Sequence, residues 1–134
     1  MGKKYPFFKQ LDSKDCGPTC LRMISKYHGK HFSTKILRDL ITVTKEGSSL
    51  LGISNAAEKI GLRTLGIRVE PEKLVNEVPL PCIAHWKRNH FLVIYDIKKS
   101  LFRPNELTIK VADPSRGIIN FKLNEFVSLT ICLM

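Results

Sequence analysis

The feature that most constrains the fold is a change of hydrophobic period at Gly61. Upstream of it, Cys20, Met23, Ile24 and Tyr27 recur at helical spacing, and Gly29 ends that pattern. A second helix is predicted from near Ser33, with Ile36, Leu37, Leu40 and Ile41 on its buried face. A third is predicted from about Ser49 to Ile60, carrying Leu50, Ile53, Ala57 and Ile60. Downstream, residues 62–69 read as a strand and residues 71–77 as one short helical turn. Residues 81–86 and 90–97 are strand-like runs joined at Lys87-Arg88-Asn89, a predicted hairpin. Residues 107–112 form another strand, residues 118–121 are short and apolar, and residues 123–129 suggest a closing helix. Helices first and antiparallel strands second predict an α+β domain, its N-terminal helical half packed on a C-terminal antiparallel sheet half. With 134 residues, no internal repeat and no linker, residues 1–134 read as one domain.

The chemistry concentrates where the first helix begins. Asp15 is placed to cap that helix, and Cys16, Gly17 and Pro18 fall in its first turn. Unsatisfied N–H groups and the helix dipole favour thiolates at such a place. An isolated helical cysteine is more often a small buried hydrophobe than a nucleophile. Cys20, which shares the stripe with Met23 and Ile24, fits that plainer description better than Cys16. His90 opens an apolar strand and could reach a thiolate across a cleft between the two halves. His28, His31 and His85 compete with it, the first two as solvated residues at a helix end and His85 as a packed inner-strand histidine. Asp113 precedes Pro114 and reads either as a turn residue or as the group that orients His90. Gln10 reads either as an exposed polar residue or as a side-chain amide donor to an oxyanion, beside the backbone N–H of Cys16. Nucleophile, base, orienting group and oxyanion donor make a cysteine-protease set, in the chain order Gln10, Cys16, His90, Asp113.

Composition narrows the alternatives. Hydrophobic content of 43% and charged content of 25% are those of an ordinary soluble globular protein. There is no apolar run long enough to span a membrane, no export signal and no Gly-Lys-Ser/Thr phosphate loop. The four cysteines, Cys16, Cys20, Cys82 and Cys132, match no zinc-ligand spacing, and reduced thiols are expected. A net charge of +10 suits nucleic acid, an anionic membrane surface, an acidic peptide or a merely solvated basic face. With no RNA-binding signature, zinc-finger spacing or basic heptad region, nucleic acid is not expected as a partner.

Taken in order, these residues resemble the C39 peptidase family, the cysteine peptidase domains at the N-termini of bacteriocin-processing ABC exporters. The resemblance runs through Gln10-Leu11-Asp12, Asp15-Cys16-Gly17-Pro18-Thr19-Cys20-Leu21 and Tyr27-His28-Gly29-Lys30. It continues with His85-Trp86, His90-Phe91-Leu92-Val93, Ala112-Asp113-Pro114 and Gly117. It implies a papain-like fold and cleavage of leader peptides after a double-glycine motif. It also implies Cys16 as nucleophile, His90 as base, Asp113 as orienting carboxylate and Gln10 as oxyanion donor, with no metal or organic cofactor. The partners implied are a precursor peptide with a double-glycine leader and the transmembrane and ATP-binding domains of the same transporter. The place implied is the cytoplasmic face of the membrane, where the positive charge would suit anionic lipid or acidic leader residues. Two other readings compete: a docking domain that binds a leader without cutting it, and a papain-like acyltransferase that passes the thioester to an amine. Family members lacking the cysteine are of the docking kind, and this chain has Cys16.

Overall fold

The computed structural model describes residues 5–86, 90–103, 106–126 and, for the backbone alone, 129–133. Helices α1 (Cys16–Tyr27), α2 (Thr34–Ile41) and α3 (Leu50–Lys59) come first. Strand β1 (Leu65–Val69) and the short helix α4 (Pro71–Glu77) follow, then β2 (Cys82–Trp86), β3 (His90–Lys99), β4 (Leu107–Asp113) and β5 (Gly117–Lys122). A 3₁₀ turn (Leu123–Glu125) leads into β6 (Leu129–Leu133). The sheet has six strands in the order β1-β6-β2-β3-β4-β5, each pair antiparallel.

Helix ends fall where the sequence chemistry requires. At the end of α1, Gly29 takes a φ of +80°, its N–H bonds the Lys26 carbonyl, and the Lys30 N–H bonds the Ser25 carbonyl. The end of α3 repeats the arrangement: Gly61 has a φ of +95°, and the N–H groups of Gly61 and Leu62 bond the carbonyls of Glu58 and Ala57. Both are Schellman closures, which need a left-handed residue that glycine supplies without a Cβ clash. Ser33 Oγ accepts from the Ile36 N–H and Ser49 Oγ from the Gly52 N–H, capping α2 and α3.

Two cores lie on opposite faces of the sheet. Cys20, Leu21, Met23, Ile24, Leu37, Ile41 and Ile53 from the helices pack on Ile83, Phe91, Val93 and Ala112. The other face buries Cys82, Ala84, Trp86, Leu92, Ile94, Ile109, Val111 and Phe121, covered by Leu74 of α4 and by Phe126. Neighbouring residues along β2 and β3 therefore enter different cores, so those strands read as unbroken apolar runs rather than alternating ones.

Three expectations need correction. Residues 123–129 do not form a helix; a single 3₁₀ turn gives way to β6, which lies between β1 and β2. Phe126 is drawn into the Trp86–Phe121 cluster, and the Leu-Thr-Ile-Cys-Leu run that follows carries β-branched residues that favour a strand. Ile36 is half exposed rather than on the buried face of α2, which turns Leu37 and Ile41 inward. Asp15 stands at the N-cap position of α1, but its side chain makes no capping bond. The hairpin residues Lys87-Arg88-Asn89 lie outside the described residues, although Trp86 and His90 on either side are paired.

Candidate active site

Antiparallel neighbours put the start of one strand beside the end of the next. His90 is the first residue of β3 and Asp113 the last of β4, so both stand at one end of the sheet. His90 Nε2 and Asp113 Oδ1 are 2.9 Å apart. Helix α1 packs on β3, and its first residue, Cys16, hydrogen-bonds the same imidazole. With Nε2 turned to the carboxylate, the nitrogen that serves the sulfur is Nδ1. Cys16 is only 4% exposed and Asp113 fully buried, while a quarter of the His90 side chain remains accessible.

The electrostatics follow from these contacts. The hydrogen bond to Asp113, then that to Cys16, raises the pKa of His90 from its ordinary value to about 9 against the opposing effect of burial. Burial pushes the Asp113 carboxyl up, but the bond from His90 and two from Ser115 outweigh it and leave the group below the ordinary carboxylate value. Ser115 donates to Asp113 Oδ1 from its backbone N–H at 2.9 Å and its hydroxyl at 2.8 Å. At Cys20, one turn along α1, burial pushes the thiol well up, as befits a packed hydrophobe. His85 stacks on Phe91 at 4.5 Å between ring centroids, and burial followed by the charge on His90 holds its pKa down. The packed description of His85 therefore holds.

Gln10 is tied to the same corner. Its backbone N–H bonds the Pro114 carbonyl at 2.9 Å, joining the N-terminal arm to the turn after Asp113. Its side-chain amide donates to the Asp12 carbonyl at 3.0 Å. A primary amide carries two N–H bonds, so one donor remains for a second acceptor. The structure thus joins His90 directly to Cys16 and Asp113, and links Gln10 to them through the loop rather than through its side chain.

Two supporting residues were not apparent from sequence. Ser115 lies two residues after Asp113, the spacing of an Asx turn, which is a signal that could have found it. Arg38 of α2 reaches the buried Asp15 carboxylate with two nitrogens, Nε to Oδ1 at 2.8 Å and Nη2 to Oδ2. This fork anchors the residue before Cys16, and no local pattern announces a contact across 23 residues.

A thiol at a helix N-terminus, an imidazole against it and a carboxylate behind the imidazole define the papain-like class of cysteine hydrolase. Comparison with known proteins takes the assignment further. Residues 4–129 match the sequence model of the peptidase C39 family. The colicin V secretion/processing ATP-binding protein CvaB of Escherichia coli is 31% identical over 116 residues, covering 87% of this chain and 16% of that protein. The lactococcin-G-processing and transport ATP-binding protein LagD of Lactococcus lactis subsp. lactis is 34% identical over 122 residues, covering 87% of the chain and 16% of that protein. The chain spans about a sixth of the length of these curated relatives. Among solved structures, a double glycine motif protease from an AMS/PCAT transporter, crystallised with the leader peptide, superposes with a TM-score of 0.84 at 31% identity, covering 98% of this chain and 93% of that one. The peptidase domain of Streptococcus ComA, a bi-functional ABC transporter involved in a quorum sensing pathway, gives a TM-score of 0.78 at 29% identity over 98% and 100%. The chain belongs to the peptidase C39 family and has the papain-like fold of its peptidase domains.

Proposed function

We propose that this chain is the leader peptidase domain of a longer ABC exporter, cutting a secreted peptide precursor after a Gly-Gly motif on the cytoplasmic side of the membrane. The observation that carries the proposal is His90 held between Asp113 and Cys16, in a chain whose relatives are secretion and processing proteins. Among the described residues, no helix is long and apolar enough to cross a membrane; the spanning and ATP-binding parts belong to the rest of such an exporter.

In this reading, His90 takes the Cys16 proton, or already holds it in an ion pair with the thiolate, and the sulfur attacks the carbonyl carbon of the second glycine. The oxyanion accepts from the Cys16 backbone N–H and from the second N–H of Gln10. The C–N bond breaks as His90 returns its proton to the leaving amine of the mature peptide. Water activated by His90 then hydrolyses the thioester and frees the leader. Asp113 keeps the imidazole in register and stabilises its charged form. Glycine at both positions before the scissile bond fits a steric filter, a channel too narrow for a Cβ.

The test is mass spectrometry of a synthetic double-glycine leader peptide incubated with the chain and with Cys16→Ala. Cleavage after the second glycine by the parent alone is expected. Leader binding without cleavage by the parent would replace the proposal with the docking reading, and transfer of the leader to an added amine would replace it with an acyltransferase.

A further inference from the structure

The turn between β3 and β4 turns two large apolar side chains out to solvent. Leu101 and Phe102 are each 92% exposed, more than any other large apolar side chain among the described residues. Lys98, Lys99 and Arg103, all exposed, flank them; Glu106, also exposed, lies 3.5 Å from Arg103. Several backbone groups of its described residues bond one another. Ser100 Oγ accepts from the N–H groups of Phe102 at 3.3 Å and Arg103 at 3.2 Å. The Ser100 N–H donates to the Glu106 carbonyl at 3.0 Å, and the Glu106 N–H to the Arg103 carbonyl at 2.8 Å. These donors already have acceptors within the chain, so the tip can leave water without stranding them.

We propose that this turn is a peripheral membrane anchor: Leu101 and Phe102 enter the headgroup region of an anionic bilayer while Lys98, Lys99 and Arg103 meet lipid phosphates. Charge favours that partner, since the whole chain carries +10. Size favours it over a protein. Two side chains fall far short of the roughly 800 Å² per partner of a stable protein interface, whereas shallow apolar insertion combined with cations suffices at a lipid surface. β3 spans ten residues from His90 to Lys99, which sets the tip about 30 Å from the imidazole at roughly 3.3 Å per residue. With β3 upright on the bilayer, the anchor would hold the cleft in water. The inference does not depend on leader cleavage, and its readout needs no substrate.

The experiment is co-sedimentation with vesicles of phosphatidylcholine alone and of phosphatidylcholine mixed with phosphatidylglycerol. Binding to the anionic vesicles is expected, weakening as salt rises. Leu101→Ser with Phe102→Ser should lower partitioning at least about tenfold, and Lys98→Gln with Lys99→Gln about twentyfold, with unfolding midpoints unchanged. In Phe102→Trp, emission should shift to the blue on anionic vesicles and be quenched by brominated lipid; the single native tryptophan, Trp86, is buried, so the parent chain's spectrum gives a constant background to subtract. A parent chain that stays in solution with both vesicles overturns the proposal. So does a Leu101→Ser/Phe102→Ser variant that binds as the parent does. Self-association of the parent that this variant abolishes would overturn it too, assigning the tip to a protein contact.

Discussion

At His90 a carboxylate and a thiol act on one proton in the same direction, each favouring the charged imidazole. The alkaline limb of kcat/KM is therefore expected near pH 9, where the imidazolium that protonates the leaving amine is lost. Asp113→Asn removes the largest cause of that elevation, so the limb should move to lower pH as well as the rate falling; a pH–rate profile of both proteins checks it. The same shifts set a stability window. The raised His90 pKa contributes stability that is complete below its ordinary value and lost as pH rises through about 9. The lowered Asp113 pKa contributes stability that is present above the ordinary carboxylate value and lost as pH falls through its depressed one. Unfolding midpoints across pH should show that window narrowing in Asp113→Asn. Gln10→Ala should reduce kcat about 100- to 1000-fold if its second N–H serves the oxyanion, with a much smaller change in KM. Cys16, His90 and Asp113 were legible because each stands where an element begins or ends, and sequence marks such places with turn formers and changes of period. Arg38 was not, because its partner lies across the fold.

Helix α1 is the element that presents the sulfur, and its first turn is crowded. A Cβ on Gly17 would lie 2.5 Å from Ser48 Oγ and 2.7 Å from Ser48 Cβ. Gly17→Ala should therefore destabilise by about 1–3 kcal/mol, the usual range for overpacking, and Ser48→Gly in the same chain should recover most of it; denaturant midpoints decide. Arg38→Met would leave the Asp15 carboxylate buried without its fork. A lower melting temperature is expected, recovered when Asp15→Asn is added, because the loss is that of an uncompensated charge rather than of packing. Helix ends were legible wherever glycine or serine chemistry governs them. Residues 123–129 were misread because a short, partly apolar run after a turn does not distinguish a strand from a helix by period alone.

At the scale of the whole molecule the sheet is closed by its last strand. β6 pairs with β1 on one side and β2 on the other, and among the described residues it is the only strand that β1 pairs with. A chain ending at Phe126 should lose cooperative unfolding, followed by circular dichroism on heating, because removing an inner strand exposes both neighbours' edges. Fold class was legible from the switch of period at Gly61, whereas strand order was not: insertion of β6 between β1 and β2 joins segments some sixty residues apart through contacts that leave no local pattern. The fold places a thiol, an imidazole and a carboxylate at one end of one sheet, where a covalent acyl intermediate is expected to form. Acid-quenched reaction with a double-glycine leader peptide, followed by digestion and mass spectrometry of the cysteine-containing fragments, tests it most directly. The leader, joined as a thioester through its second glycine, is expected on Cys16 and on neither Cys20 nor Cys82. Cleavage that proceeds with no adduct on Cys16, or with the adduct on another cysteine, would contradict it.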